Sequence, residues 1–197
     1  MSTTEGCEYR RFRSIMENLF NLGTWGDLVT ESLKQLGYGD FQQVFSAGKS
    51  LDIGCGSGFL TGRLQAMGID AYGIDPDRES IEYGKRTSLL RYTRRNLIVA
   101  SMVHLPFKAE KFHTITSCNI ADVVNDSLGT RISFPREDKP RAVDDIYRVL
   151  EKGGLYIAYD ADAPFDMPPD MELRIEYPSR EEYPSRERAV LRLWEKR

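Results

Sequence analysis

Apolar residues recur along this chain in two patterns, at intervals of three to four residues in some segments and as short continuous runs in others. Near the start, one helical series covers residues 12–20, and a second covers residues 25–36 and ends before Gly37. Such spacing is typical of amphipathic helices. The sequence therefore predicts two helices ahead of the first apolar run, which ends at Gly54.

After Gly54 the two patterns alternate. Helical spacing begins near Leu60, Asp77 and Val143, with Asp77 as a plausible helix cap and Gly153-Gly154 as the expected end of the last helix. Further short apolar runs predict strands at residues 71–74, 96–100, 112–118 and 155–159. Strands that alternate with helices indicate an α/β fold with a parallel, doubly wound sheet and right-handed crossovers.

The last part of the chain has a different pattern. Leu173–Tyr177 and Ala189–Trp194 are predicted to form a hairpin with a polar, proline-bearing connection. Between Asp160 and Met171, three prolines break any helix. The crossover helix before the sixth strand is therefore expected to be short or absent, and we expect the N-terminal helices or a second subunit to bury the apolar face that it leaves.

Composition excludes several classes of protein. With 41% hydrophobic and 29% charged residues the chain is expected to be globular and soluble, and a net charge of -3 argues against a general polyanion binder. Its cysteines, Cys7, Cys55 and Cys118, form no C-x-x-C pair, so neither a disulfide framework nor a zinc site is suggested. No apolar run has the length of a signal peptide or membrane span, so we expect a cytoplasmic protein without a metal.

The segment from Leu51 to Gly58 reads Leu-Asp-Ile-Gly-Cys-Gly-Ser-Gly, and Asp75 follows Gly54 by 21 positions. Alternating glycines suit a turn that brings backbone close to a ligand, and a carboxylate at this distance suits a ribose. The dinucleotide fingerprint G-x-G-x-x-G would require glycine at position 59, where this chain has Phe59. The ligand is therefore nucleotide-like, but the pattern disfavours a dinucleotide.

These residues resemble motifs I and II of the class I S-adenosylmethionine-dependent methyltransferases. Three later segments are also similar to motifs of that family, in the same order: residues 100–107, which end in Leu-Pro-Phe, residues 117–122 and residues 149–155. The resemblance implies S-adenosylmethionine as cofactor and S-adenosylhomocysteine as product. It also implies a Rossmann-like, seven-stranded sheet whose last strand is antiparallel.

The resemblance further implies a set of cofactor contacts. Asp52 would orient the amino group of the cofactor, Asp75 would accept both ribose hydroxyls, and Pro76 would line the adenine. Backbone around the methionine part would come from Gly54, Cys55, Gly56 and Gly58, and that end would be flanked by Asn119 and Ile120. Met102 would border adenine, while Ser101 stands where many relatives have an aspartate that accepts the adenine amine.

No catalytic base can be chosen from the sequence, because a sulfonium already activates the methyl carbon and a base is not always needed. Side chains beyond the carboxyl ends of the fourth and fifth strands are weak candidates, although each also suits a cap or a hydrogen-bond partner: Asp122, Asp126, Tyr159 and Asp160. Aromatic residues in the N-terminal helices are substrate-binding candidates or core residues: Tyr9, Phe12 and Trp25.

One methyltransferase domain is expected over residues 1–197. Its parts are N-terminal helices that form a lid (1–48), a cofactor-binding core (49–160) and a C-terminal hairpin (161–197). The polar stretch from Ser127 to Arg141 is expected to be a loop that shapes specificity.

The predicted function is methyl transfer from S-adenosylmethionine to a small molecule. Two alternatives stay open: a methyltransferase of a protein or RNA with an activating partner, and an inactive module that binds the cofactor as a scaffold or regulator. After the fourth strand the chain has Asn119-Ile120-Ala121-Asp122 and lacks the motif of amino-directed DNA methylases, so base methylation of that type is disfavoured. The acidic net charge also argues against nucleic acid as a general partner. A homodimer is a further expectation, and the methyl acceptor cannot be read from these motifs.

Overall fold

The structure is a computed structural model that describes residues 33–34, 37–39, 41–86, 96–118, 122–125, 130–133, 136–160, 165–177 and 190–197. Two compact units are distinguished, Met1–Phe41 and Gln42–Arg197. The predicted division at residues 48 and 160 stays a prediction. No helix within the described ranges combines the length and the hydropathy that a membrane span requires.

In the first unit, the described residues include the end of a helix. Leu33 and Lys34 are helical, and Gly37 follows in the left-handed conformation with φ of 78°. The Gly37 amide donates to the Lys34 carbonyl, and the Tyr38 amide donates to the Leu33 carbonyl, both at 3.0 Å. Such bonds close a helix at its C-terminus, which confirms the predicted helix end at Gly37.

Strands and helices alternate through most of the described chain. The strands are β1 (Ser50–Ile53), β2 (Ala71–Asp75), β3 (Leu97–Val99), β4 (Phe112–Cys118), β5 (Asp122–Asn125), β6 (Thr130–Ser133), β7 (Leu150–Asp160), β8 (Met171–Tyr177) and β9 (Val190–Lys196). The α-helices are α1 (Phe41–Ser46), α2 (Phe59–Ala66), α3 (Arg78–Arg86) and α4 (Lys139–Val149).

Seven strands form one sheet in the order β3-β2-β1-β4-β7-β9-β8. Its strands are parallel except for β9, which pairs antiparallel with both β7 and β8. This confirms the predicted Rossmann-like sheet with an antiparallel last strand, and the predicted C-terminal hairpin. The direction of strand connections reverses between β1 and β4, so the sheet opens a crevice for ligands at their carboxyl ends.

The two faces of the sheet bury different kinds of residue around β1. Leu51 and Ile53 belong to a hydrophobic cluster that includes Ile146 of α4. Between them, Asp52 lies on the other face and contacts Thr61 of α2. Successive side chains in a strand alternate between faces, so β1 places an acidic residue in the α2 layer without interrupting the apolar cluster on the α4 side.

Two predicted boundaries are wrong. The last helix ends at Val149 rather than at Gly153-Gly154, because Leu150 already pairs with Phe112 and has extended backbone with ψ of 132°. Gly153, with φ of 75°, instead lies within β7, where the register of the pairing with β4 shifts. The fifth strand of the main sheet is consequently longer than its apolar run.

The stretch from Ser127 to Arg141 is also not wholly the loop that its polarity suggests. β6 occupies part of it and pairs antiparallel with β5 in a separate two-stranded sheet. A short 3-10 helix, Arg136–Asp138, then leads into α4. Pro140 lies in the first turn of α4, where backbone N–H groups have no partner within the helix, so the missing N–H of proline costs no helical hydrogen bond.

The connection from β7 to β8 contains no helix in its described residues, 165–170. Phe165, only 7% exposed, belongs to the cluster that α4 covers, and Met167 packs against it. Part of the apolar face that was expected to need the N-terminal helices or a second subunit is therefore covered by this connection itself.

Candidate functional site

The turn between β1 and α2 is held open by three glycines in the left-handed region. Their φ angles are 72° at Gly54, 55° at Gly56 and 80° at Gly58, a region that other residues rarely adopt. The amides of Gly54 and Cys55 both donate to the Ile74 carbonyl at 2.9 Å. The turn is therefore fastened to the end of β2.

Asp75, at the carboxyl end of β2, is half-buried beside this turn. One of its carboxylate oxygens accepts from the Gly56 amide and the other from the Asp77 amide, each at 2.8 Å. Asp77 in turn accepts from the amides of Glu79 at 3.1 Å and Ser80 at 3.3 Å, which confirms the predicted cap of α3. The carboxylate of Asp75 is thus fixed by backbone on both sides before any ligand is considered.

Asp52 is the most buried acidic group of the site, with 5% of its surface exposed. Thr61 donates a hydrogen bond to its Oδ2 at 3.2 Å, and Thr116 of β4 donates to its Oδ1 at 3.1 Å. Burial raises the pKa of Asp52 to about 7; the threonine hydrogen bonds oppose that rise, and the charge of Asp75 adds to it. An uncompensated buried carboxylate favours a cationic ligand.

Sequence reasoning missed four residues of this site: Thr61, Thr116, Gly73 and Gly84. A side chain on Gly84 would collide with the Ser57 carbonyl, so α3 packs directly on the glycine turn. Gly73 leaves similar room for Thr61 and the Cys55 thiol. A glycine inside a strand pattern does signal a close approach, but only the register of the sheet reveals which groups approach.

The two cysteines of the described part of the site carry no disulfide. Burial raises the pKa of the Cys55 thiol, and the charges of Asp52 and Asp75 raise it further. Cys118 lies at the carboxyl end of β4, paired in register with Tyr159 of β7. A neutral Cys55 thiol is a poor nucleophile, so this residue contributes its backbone and its volume to the turn.

The predicted adenine-side segment is fastened to α4. Asp145 accepts from the Leu105 amide, and its partner Arg148 donates to the Leu105 carbonyl at 3.0 Å and to the Phe107 carbonyl at 2.7 Å. Upstream, Met102 is 6% exposed and belongs to the hydrophobic cluster, and the Ser101 hydroxyl accepts from the Val103 amide at 3.4 Å. The Leu-Pro-Phe motif thus serves as an anchor for residues 101–104.

The other predicted site residues fall into two groups. Pro76 is exposed after β2, Tyr159 is half-buried near the end of β7, and the backbones of Asp122 and Asp160 begin β5 and end β7. The second group lies outside the described residues: Tyr9, Phe12, Trp25, Asn119, Ile120 and Asp126. Its roles, and those of the other predicted contacts, stay predictions.

The residues of the turn fit S-adenosylmethionine. A Cβ on Gly56 would meet nothing within 4 Å, so there is open space beside the turn at this position. Asp52 and Asp75 bring two carboxylates to that turn, which suits a ligand with an ammonium group and a pair of ribose hydroxyls. No dinucleotide-type third glycine is needed, because the methionine part carries no pyrophosphate.

Comparison with known proteins agrees with this geometry. A family model described as "Methyltransferase domain" matches residues 51–158. Among curated proteins, the ubiquinone biosynthesis O-methyltransferase of Haemophilus ducreyi is 29% identical over 100 residues. That match covers 48% of this chain and 42% of the relative, so the chain spans less than half of that protein's length.

Two solved structures have a similar fold. The PH0226 protein from Pyrococcus horikoshii has a TM-score of 0.60 with 15% identity and covers 87% of this chain and 91% of its own. A TehB-like S-adenosylmethionine-dependent methyltransferase from Corynebacterium glutamicum has a TM-score of 0.55 with 19% identity. The match covers 89% of this chain and 100% of that methyltransferase. Because the family model spans more than half of the chain, this protein belongs to the methyltransferase domain family, whose methyl donor is S-adenosylmethionine.

Proposed function

We propose that this protein transfers the methyl group of S-adenosylmethionine to a small-molecule acceptor. The observation that carries the proposal is the meeting of Asp52, Asp75 and the glycine turn at the carboxyl ends of neighbouring parallel strands. Ligands of open α/β sheets bind at this edge, next to the point where the strand order reverses. The curated relative is named for O-methylation in ubiquinone biosynthesis, which supports a small molecule as acceptor.

The donor contacts are proposed from the resemblance to the family, and the geometry of the turn supports them. Asp75 would hold the ribose and Asp52 the ammonium group, while the backbone of Gly54, Gly56 and Gly58 would contact the methionine part. When bound, the donor supplies an electrophilic methyl carbon on a sulfonium leaving group. The chain itself has to orient the acceptor, exclude water and, where the acceptor carries a proton, receive it.

Among the candidate bases, Tyr159 can be judged from its surroundings. Burial raises the pKa of its phenol above the ordinary value. The phenol is therefore protonated near neutral pH and suits a hydrogen-bond donor to the acceptor better than a proton acceptor. We propose Tyr159 as an acceptor-contacting residue, with Asp122, Asp126 and Asp160 as the remaining candidates for a base.

Donor binding is tested by calorimetry with S-adenosylhomocysteine. We expect micromolar binding that falls about a hundredfold or more in Asp75→Ala, because a charged acceptor for two hydroxyls is lost. Asp70→Ala is the matched control: it removes a half-exposed carboxylate that pairs with Lys49 just before β2. Equal affinity of wild type and Asp75→Ala would contradict the assigned site.

Acceptor class is tested by transfer of a labelled methyl group from the donor to a fractionated cell extract. Label in the small-molecule fraction supports the proposal, whereas label in the protein or RNA fraction replaces it with the alternative acceptor class. Donor binding without transfer to any fraction, also after addition of extract proteins, indicates the scaffold alternative. Light scattering on the purified protein separately tests the expected homodimer.

A further inference from the structure

Two threonine hydroxyls converge on the carboxylate of Asp52. Thr61 comes from α2 and Thr116 from β4, and each donates to a different carboxylate oxygen. All three groups are buried: Thr61 is 0% exposed, Thr116 1% and Asp52 5%. Two separate elements therefore fix both oxygens of one acidic group, which leaves the carboxylate little freedom to rotate.

The surrounding backbone leaves room for the Thr61 hydroxyl and offers the Thr116 hydroxyl a second acceptor. Gly73 of β2 lies against the same group: a Cβ there would be 2.5 Å from the Thr61 hydroxyl and 2.8 Å from the Cys55 sulfur. The Thr116 hydroxyl has the Leu51 carbonyl as a second acceptor at 3.4 Å. When Asp52 is protonated, Thr116 can accept its proton in a hydrogen bond and donate to Leu51 instead.

Each element packed against Asp52 contributes a charged or polar group that faces it. β2 contributes the Asp75 carboxylate and the glycine turn the Cys55 thiol, while α2 and β4 contribute the two hydroxyls. Burial and Asp75 disfavour the ionised form of Asp52, and Thr61 and Thr116 favour it. With a pKa of about 7, Asp52 is divided between its two forms at neutral pH.

We propose that Thr61 and Thr116 are positioning residues for the methyl donor, whose hydroxyls orient Asp52 and stabilise its ionised form so that it pairs with the donor's ammonium group. The inference rests on the proposed function, because it assumes that Asp52 faces the amino-acid part of S-adenosylmethionine. A protonated Asp52 must lose its proton when the ammonium group binds. The oxygen–hydrogen bond breaks, the electron pair stays on the carboxylate, and the proton passes to solvent.

The wild-type protein gives the first test. Calorimetry with S-adenosylhomocysteine between pH 6 and 7.5, in two buffers of different ionisation enthalpy, measures the protons released on binding. We expect affinity to rise from pH 6 to pH 7 and about half a proton to be released near pH 7, since α-amino groups stay largely charged up to that pH. 5′-Methylthioadenosine, which lacks the amino-acid part, should bind with neither effect.

Variants give the second test. Thr61→Val and Thr116→Val keep the shape and remove the hydroxyl, so each should weaken S-adenosylhomocysteine about tenfold at pH 7 and shift the affinity curve to higher pH. Thr61→Ser and Thr116→Ser restore a hydroxyl and should recover both properties. Affinity for 5′-methylthioadenosine should not change in any of the four variants.

Three results would overturn the inference in distinguishable ways. If wild type binds S-adenosylhomocysteine without proton release or pH dependence, Asp52 does not pair with the ammonium group. If the valine variants weaken both ligands equally, the threonines are only structural. If neither ligand binds wild type, the donor site itself is wrong and the proposed function fails with it.

Discussion

Asp52 and Asp145 both accept hydrogen bonds from neighbouring elements, but the donors of these hydrogen bonds differ in charge. Within the described part of the chain, the hydrogen bonds that Asp52 accepts come from neutral groups of Thr61 and Thr116, and burial raises its pKa to about 7. Burial also disfavours the ionised form of Asp145. Hydrogen bonds from Arg148 and from the Leu105 amide outweigh this effect, so the pKa of Asp145 is lowered.

The contrast separates a structural carboxylate from one suited to a ligand. The charge of Asp145 is matched by Arg148 within the fold, so this pair anchors residues 105–107 without any ligand. The charge of Asp52 is disfavoured until a cation arrives, as expected for a ligand-binding group whose surroundings shift its pKa. Buried acidic groups in this fold therefore have to be judged by their partners rather than by burial alone.

The largest expected effect concerns pH and the unliganded protein. An acid whose pKa is higher in the folded than in the unfolded state binds more protons when folded, so stability is lost as pH rises from about 4 through 7. At about 1.36 kcal/mol per pKa unit, Asp52 accounts for a fall of up to about 4 kcal/mol in the free energy of unfolding.

Urea unfolding of wild type and Asp52→Asn at pH 5 and pH 8 measures this. From pH 5 to pH 8, the free energy of unfolding of wild type should fall relative to that of Asp52→Asn. Asp145 does not affect this comparison, because wild type and Asp52→Asn both contain it and its pKa is lowered rather than raised. A pH-independent difference would show that Asp52 titrates normally.

Removing the cation beside Asp145 should have the next largest effect. Arg148→Met loses hydrogen bonds to Asp145, Leu105 and Phe107 and leaves a mostly buried carboxylate without its charged partner, so we expect a loss of about 2 kcal/mol in stability. Arg141→Met on the same helix is the control, since Arg141 is 76% exposed and its bridge to Asp138 is long at 3.9 Å. Equal unfolding free energies of the two variants would contradict the anchor.

A methyl group beside Asp52 should have a smaller effect. Gly73→Ala forces the Thr61 hydroxyl and Cys55 aside, which should cost about 1–2 kcal/mol in thermal unfolding and also weaken S-adenosylhomocysteine. Gly48→Ala is matched in crowding, because its Cβ would lie 2.6 Å from the His113 Cβ, but it is away from Asp52. Loss of ligand affinity in both variants alike would remove the special role of Gly73.

The smallest expected effect is a gain at the adenine side. Ser101→Asp places a charged acceptor where Ser101 is neutral, and a charge-assisted hydrogen bond to the adenine amine should be worth about 1 kcal/mol, or about fivefold in affinity. S-Inosylhomocysteine lacks that amine and should gain nothing. A similar gain for both ligands would indicate a general charge effect and not the predicted contact.

Most of the sheet could be predicted from local pattern, whereas its irregular parts could not. β4 was predicted at its observed bounds, because a run of apolar and β-branched residues fits a strand buried on both faces. The start of β7 was missed because Leu150 continues the helical spacing of α4, and only its pairing with Phe112 decides the extended backbone. β5 and β6 were missed because each has only four residues, and Val123, Val124 and Ile132 are too few to show a strand pattern among polar neighbours.

The sequence alone indicated the donor, because the glycine turn, Asp75 and three later segments resemble motifs of the S-adenosylmethionine-dependent methyltransferases, and such motifs are properties of position along the chain. It could not determine which groups surround Asp52. Thr61 and Thr116 are 9 and 64 positions away from it and meet it only through the α2 packing and the β1–β4 register. Local conformation follows from neighbours in sequence, but the charge state of a buried group depends on neighbours in space, and those the tertiary structure decided.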